Sequence, residues 1–372
     1  MQVSKCLNMK KTKKAKKTNK LKRIIIGIVA FIVLSAVVVM PAVAAIVYES
    51  IFSNRFEPSQ WSAFDVGDFS GLIQEQCTFE SKQGKSLAGF KYSTSSTSAE
   101  DNQPRGVVII AHGLGGGGQS LYMNVADFFT RNSYLVFAYD ATGNGQSQGD
   151  DVRGLPQGVM DLCSAIEYVK SQPEYSSLPI MLFGHSWGAY SSGAVLEYHP
   201  DVRAVVMLAG FNASENMLRQ ESRKVAGGFA DITMPYVKIY ERLKFGDFSV
   251  SSAIKGFKKS DAGVMIVHSA DDTDVLMENG YDLFYETYGD LERFSFVKYE
   301  NRGHSFLYCS DQSAIIRQNL AVEYSEYLEK NNKKHSSQVE NEFMRLNVDK
   351  TKYFELDLDL MQKVLSFYDN YS

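Results

Sequence analysis

Pro179-Ile180-Met181-Leu182-Phe183-Gly184-His185-Ser186-Trp187-Gly188 is the stretch on which the reading of this chain turns. A short apolar run that breaks into Gly-x-Ser-x-Gly and continues into the mostly small residues 189–195 is the pattern of a strand, a tight turn and a helix, with the serine on the turn. Such a turn holds its serine in a strained backbone conformation, and glycine on either side lets neighbouring elements approach closely. The Ser186 hydroxyl then points out of the sheet. The Trp187 N–H lies free at a helix N-terminus, where it can stabilise an oxyanion. One pentapeptide thus supplies a nucleophile and half an oxyanion hole. Gly-x-Ser-x-Gly alone also describes a plain glycine-rich turn, so its company matters.

Upstream, Ala111-His112-Gly113-Leu114-Gly115-Gly116-Gly117-Gly118 follows the apolar run 107–110. A glycine-rich loop at a strand end presents backbone N–H groups, and that of Leu114 is the candidate second oxyanion donor. The lysine and Ser/Thr of a nucleotide-binding phosphate loop are absent. His112 reads as a residue that orders this loop, and Asp140, in Asp140-Ala141-Thr142-Gly143-Asn144-Gly145, as a turn residue. Downstream, Val267-His268-Ser269-Ala270-Asp271-Asp272-Thr273-Asp274-Val275 offers three carboxylates for the acid that orients a catalytic imidazole. Asp272 is preferred, Asp271 next and Asp274 last. His304, in Asn301-Arg302-Gly303-His304-Ser305, is the histidine placed beyond that acid at a strand exit, suited to take the Ser186 proton and return it to the leaving group. His185 reads as a structural hydrogen-bonder, and His199 and His335 as surface or packing residues.

Residues 74–92 form two strands joined at Gln83-Gly84-Lys85, followed by a polar loop over 93–103. Continuous apolar runs then recur at 106–111, 134–139, 180–183, 204–208, 264–267 and 294–297, with helix-length segments such as 121–131 and 157–171 between most of them. Runs apolar on both faces and separated by helices predict an α/β architecture, a mostly parallel sheet covered on both sides. About 50 residues, 211–261, separate two of these strands where a crossover needs roughly a dozen. That excess reads as a helical cap. Its amphipathic pieces, 214–225 and 234–245, carry Met217, Leu218, Phe229, Met234, Tyr236, Ile239, Tyr240, Leu243 and Phe245; most are expected to bury, and Phe229 and Tyr240 are candidate substrate-binding residues. Residues 323–330 and 358–368 read as terminal helices, with 331–340 a polar, mobile stretch.

Taken together, the chain resembles the α/β-hydrolase superfamily, within it the monoacylglycerol-lipase and serine-aminopeptidase-like hydrolases. The resemblance covers about residues 74–330 and rests on His112-Gly113, Asp140 with Gly143, Gly145 and Ser147, the Gly184 to Gly188 turn, Asp272 with Val275, and Gly303-His304. It implies a cap after the sixth strand, Leu114 as an oxyanion donor, and Asp272 above Asp271, because the family's acid precedes a valine by this spacing. Proline-specific members carry His-Gly-Gly-Pro-Gly where this chain has His112-Gly113-Leu114-Gly115-Gly116, a departure from aminopeptidases.

The first 23 residues hold ten Lys or Arg and no acid, and residues 24–47 carry no charge. At 1.5 Å per residue this run spans about 36 Å, enough for a hydrocarbon core of roughly 30 Å. An uncleaved anchor is favoured over a cleaved secretory signal, because the run exceeds the length of a typical signal core. Either way the basic flank stays inside and the rest is exported. All 43 acidic residues lie after residue 23, facing 29 of the 39 basic ones, a balance that argues against nucleic acid as a partner. Of four cysteines, Cys77, Cys163 and Cys309 fall in the exported part, where they read as core thiols with one bridge open to them.

These readings divide the chain into a basic tail (1–23), a transmembrane anchor or signal segment (24–48), core (60–210), cap (211–261), core (262–330) and a C-terminal linker and helix (331–372). They predict an outward-facing serine hydrolase, held in the cell membrane as a single-pass protein or secreted if the signal is cleaved, acting on small or lipid-like acyl esters. The residues Ser186, His304 and Asp272 would carry the chemistry, with no metal or organic cofactor called for. An amidase or peptidase, with Glu215 or Glu221 recognising an amine, and a non-catalytic binding module are the alternatives.

Overall fold

The computed structural model describes residues 2–95 and 103–372, the side chains of 2–16 and 18 excepted. The polar loop expected at 93–103 therefore lies largely outside the described residues, as do most side chains of the basic tail. One sheet contains β1 (Leu72–Glu80), β2 (Ser86–Thr94), β3 (Val107–Ala111), β4 (Leu135–Tyr139), β5 (Ile180–His185), β6 (Ala204–Leu208), β7 (Gly263–Ser269) and β8 (Phe294–Tyr299), in the order β1-β2-β4-β3-β5-β6-β7-β8. β1 and β2 form the expected antiparallel hairpin, β2 meets β4 antiparallel, and every later pair is parallel. Side-chain alternation explains the unbroken apolar runs. Val107 and Ile109 of β3 bury on one face with Leu182, Val205 and Met207, while Val108 and Ile110 bury on the other with Phe183, Val206 and Leu208. A strand covered on both sides has no polar face to show.

The chain begins with α1 (Gln2–Leu34) and α2 (Met40–Phe52), which continue one another through a π-helical turn at Ser35–Val39. Pro41 lacks the N–H that an α-helical ladder needs there, and the Met40 N–H reaches back five residues to the Ser35 carbonyl. Asn19–Phe52 is long and apolar enough to cross a membrane, with a mean hydropathy of 2.9, and its apolar window is uncovered by protein. Only towards its end does the helix meet the domain, through Ala44, Tyr48 and Phe52 at four-residue spacing.

In the domain, α3 (Met123–Arg131) packs on one face of the sheet, and α4 (Leu155–Ser171) and α5 (Trp187–Val195) on the other. The segment between β6 and β7 forms α6 (Ser214–Ala226), α7 (Ala230–Phe245) and the short α8 (Ala253–Lys259). α7 starts a turn earlier than the proline rule suggests, leaving Pro235 inside the helix; Arg223 holds Asp231 in that extra turn. Leu218, Met234 and Phe245 bury as expected, whereas Phe229, Ile239 and Leu243 stay exposed.

After α9 (Tyr281–Tyr288) and β8, the chain departs from expectation. α10 (Asp311–Lys330) begins twelve residues before the expected 323, capped by the Ser310 hydroxyl. The stretch expected to be mobile instead starts α11 (Ser337–Asn347), with the Ser336 hydroxyl as its cap and Phe343 and Met344 buried. α12 (Lys350–Tyr353) follows, and α13 (Leu358–Asp369) returns to the sheet to bury Leu360, Met361, Val364 and Tyr368 beside Phe129 of α3. The last helix is part of the core. Cys77, Cys163 and Cys309 are free thiols.

Leu360→Ala is expected to lower unfolding free energy by about 2–5 kcal/mol, because it opens a cavity in this packed layer. Leu346→Ala, on the exposed side of α11, is expected to stay within about 0.5 kcal/mol of the parent. Urea titrations of the two variants check the contrast.

Candidate active site

Ser186 lies between β5 and α5 with φ 55° and ψ −115°, a backbone conformation that costs an ordinary side chain of order 1–3 kcal/mol. The surroundings enforce it. A Cβ on Gly188 would stand 1.9 Å from the Ala111 carbonyl oxygen, and one on Gly184 would stand 2.4 Å from the Gly188 carbonyl oxygen. Only glycine allows α5 to press this closely against the ends of β3 and β5. The Ser186 N–H donates to the Leu208 carbonyl at 2.8 Å, so the turn is also tied to β6.

His304, in the loop after β8, places Nε2 2.8 Å from Ser186 Oγ and Nδ1 2.8 Å from Asp272 Oδ2. Nδ1–H donates to the carboxylate, which leaves Nε2 free to accept from the serine hydroxyl. The three competing carboxylates part company here. Asp272 is buried, and its Oδ1 accepts from the N–H groups of Asp274 and Val275, both at 2.9 Å. Asp271 is exposed and accepts from the Gly303 N–H at 2.9 Å, steadying the histidine loop from its other side. The Asp274 side chain is exposed. Burial alone pushes the Asp272 carboxyl up, but hydrogen bonds from His268 and His304 outweigh it and hold the group well below the usual carboxylate range.

Two residues that the sequence reading passed over complete this geometry. His268, buried at the end of β7, donates from Nε2 to the Val275 carbonyl at 2.9 Å and lies 3.3 Å from Asp272 Oδ2. Tyr122 connects the serine turn to the glycine-rich loop. His185 Nε2 meets the His304 carbonyl at 3.0 Å, and since a carbonyl only accepts, that nitrogen carries the proton. His185 Nδ1 then accepts from the Tyr122 hydroxyl at 2.8 Å, and the Tyr122 oxygen accepts from the Gly113 N–H at 3.1 Å. Burial and the neighbouring His304 push His185 down to about 3, so this line of bonds holds a neutral imidazole. Spacing from Asp272 could have pointed to His268, four residues earlier. Nothing local singles out Tyr122.

The glycine-rich loop lies against Ser186, since a Cβ on Gly113 would be 3.5 Å from that of the serine. Leu114 stands at the partly exposed rim, and Trp187 is buried with its ring N–H donating to the Leu155 carbonyl at 2.8 Å. His112 accepts the Ala141 N–H at 2.9 Å, and burial pushes it down to about 4. The buried Asp140 carboxylate accepts from Gln119 and Gln146 N–H groups, fastening the two loops together; burial pushes it up to about 6. Of the two expected substrate contacts, Phe229 is exposed at the turn between α6 and α7. Tyr240 turns its hydroxyl to Glu49 of the N-terminal helix at 2.5 Å, because that helix packs on α7.

The esterase Pf2001 of Pyrococcus furiosus superposes on 74% of this chain and 98% of its own, with a TM-score of 0.51 and 17% identity. The sequence pattern of the family described as "Serine aminopeptidase, S33" matches residues 102–252. The chain belongs to the α/β-hydrolase superfamily. Within it, the chain is similar to monoacylglycerol lipases and to the S33 family. It is 33% identical over 115 residues to the monoacylglycerol lipase of Mycolicibacterium smegmatis, and 34% identical over 87 residues to the monoglyceride lipase of Rattus norvegicus. Those matches span 39% and 28% of the two lipases, and 30% and 23% of this chain.

Tyr122→Phe leaves the buried Gly113 N–H and His185 Nδ1 without their partner, and is expected to cost about 1–3 kcal/mol in chemical denaturation. In an NMR titration the rings of His112 and His185 are expected to show no protonation step between pH 8 and pH 5. A midpoint near 6.5 for either would contradict the burial argument.

Proposed function

We propose that this chain is a membrane-anchored serine hydrolase that cleaves acyl esters, as a carboxylesterase or lysophospholipase-like enzyme. The observation that carries the reading is the unbroken hydrogen-bonded line from Ser186 through His304 to Asp272. In this reading Ser186 Oγ attacks the ester carbonyl while His304 Nε2 takes its proton, and Asp272 stabilises the imidazolium that forms. The N–H groups of Leu114 and Trp187 hold the oxyanion. His304 then protonates the departing alcohol, and water, activated by the same imidazole, resolves the acyl-enzyme. The helical insertion at 211–261 serves as the cap. Likeness to two monoacylglycerol lipases supports a lipid-like acyl substrate.

The long apolar helix and the basic residues before it support a single-pass anchor with the catalytic domain outside. A peptidase would need a free carboxylate in the cap to recognise an amine. Glu215 is instead paired with Arg219 and Lys238, and Glu221 with Lys224, which weighs against that reading.

The test is hydrolysis of p-nitrophenyl esters from acetate to palmitate, with matched anilides in parallel, by the detergent-solubilised full chain. Esters are expected to be cleaved and anilides spared. Ser186→Ala is expected to lower kcat at least about 10⁴-fold, and Asp272→Asn about 10⁴-fold through the wrong histidine tautomer. Preference for the anilides would replace the esterase reading with the amidase one. Failure on both substrates and with a fluorophosphonate probe would leave the fold without the proposed chemistry.

A further inference from the structure

The end of the N-terminal helix is built into the domain more closely than a tether requires. The Tyr48 ring is buried, and its hydroxyl donates at 2.8 Å to Glu241 of α7, a carboxylate only 2% exposed. The Ser214 hydroxyl, at the start of α6, donates to the same Glu241 oxygen at 2.7 Å. Space for the tyrosine is made by Gly154, before α4, where a Cβ would stand 2.0 Å from the Tyr48 oxygen. One residue on, Glu49 accepts from the Tyr240 hydroxyl and pairs with Lys244, whose ammonium also lies over the rings of Tyr48 and Tyr240.

The chain beyond the helix then reaches the loop after β4 and the glycine-rich loop. Arg55 donates to the carbonyls of Ser147 and Gly149, and Phe56 exchanges backbone hydrogen bonds with Gly143 and Gly145. Glu57 and Pro58 press on Gly117 of the glycine-rich loop so closely that a Cβ there would stand 2.2 Å from the Pro58 nitrogen. On the cap side the contacts continue inward. Gln220 of α6 donates to the Asp274 carbonyl at 2.8 Å and accepts from the N–H of Leu276, in the loop that carries Asp272.

We propose that residues 44–58 form a strut that positions the active site, with Tyr48 and Glu49 latching the cap through Glu241, Tyr240 and Lys244 while residues 55–58 brace the glycine-rich loop. The membrane helix and the catalytic domain then form one rigid unit, and the cap keeps its place over the serine only while the latch is closed. Tyr48 and Glu49 are positioning residues: they act on the substrate through α6 and α7. The proposal rests on the reading of 211–261 as a substrate cap, but its physical core, the latch, is testable without any turnover.

The experiment uses the full chain in detergent micelles, with Glu49→Ala, Lys244→Ala and the double variant. Two readouts are taken: the rate of limited proteolysis at the exposed Gly227-Gly228 turn, and the ratio of kcat/KM for a long-chain to a short-chain p-nitrophenyl ester. Each single variant is expected to speed cleavage at that turn about fivefold and to lower the ester ratio about threefold, with the double variant no worse than the poorer single one, since residues acting through one contact are not additive. The rate of fluorophosphonate labelling, which requires Ser186 and His304 but no long acyl chain, is expected to stay within about twofold of the parent. Unchanged proteolysis and ester ratio in both single variants, or strictly additive effects in the double, would overturn the strut. If no ester is turned over, the esterase reading fails and the proteolysis arm alone still decides the latch. Tyr48→Phe, which removes one buried donor and keeps the packing, is the second probe and is expected to move proteolysis in the same direction.

Discussion

The geometry of the site depends on one backbone crossing, where Gly188 at the start of α5 passes the Ala111 carbonyl at the end of β3. The helix can come no closer, and with any side chain it would have to retreat. This contact sets Ser186 beside Gly113 and forces the serine into its left-handed conformation. The parallel sheet supplies the rest of the frame. Because β3, β5, β6, β7 and β8 run the same way, the loops bearing Gly113, Ser186, Asp272 and His304 all leave from one edge of the sheet. Residues scattered over nearly 200 positions of sequence converge for that reason.

Burial of polar groups around the serine turn then selects protonation states. A neutral His185 can donate to one neighbour and accept from another, and its two partners, the His304 carbonyl and the Tyr122 hydroxyl, match those roles. An imidazolium there would have two donors and, at Tyr122, a partner already committed to donating. His268 shows the cost of the same strategy: its Nδ1 is buried without a partner among the described residues. Its Nε2 serves the Val275 carbonyl and Asp272 together, so the orphaned nitrogen sits behind a bond that helps keep Asp272 ionised.

The cap illustrates a different balance. Burial pushes the Glu241 carboxyl up to about 7, and the hydroxyls of Tyr48 and Ser214 offset part of that penalty. A buried carboxylate with two hydroxyl donors from different elements joins the N-terminal helix, α6 and α7 at one point. Apolar packing alone would join them with less directional preference, since dispersion contacts tolerate sliding and hydrogen bonds do not.

Much of the architecture could be read from sequence because the signals were local. Apolar runs at 106–111, 134–139 and 204–208 became β3, β4 and β6 with ends within a residue, and the 83–85 turn closed the first hairpin. The order of the motifs was enough to nominate Ser186 and His304, whereas it left three carboxylates, among which the family resemblance favoured Asp272 through its spacing to Val275. Where the reading failed, the deciding contacts were distant in sequence. Helix α11 forms in a polar stretch because Phe343 and Met344 find a core to bury in, and the Tyr240 hydroxyl meets Glu49, nearly 200 residues earlier in the chain. Tyr122 carries no motif, and only the folded chain brings its hydroxyl between His185 and Gly113. The sequence by itself determined which runs become strands, the membrane-length helix and the chemical types at the serine turn, since each is written in residues a few positions apart. Which carboxylate meets His304, and which side chains hold the helix to the cap, only the tertiary structure decided, because hydrogen bonds depend on ångström-scale distances between segments that no local pattern records.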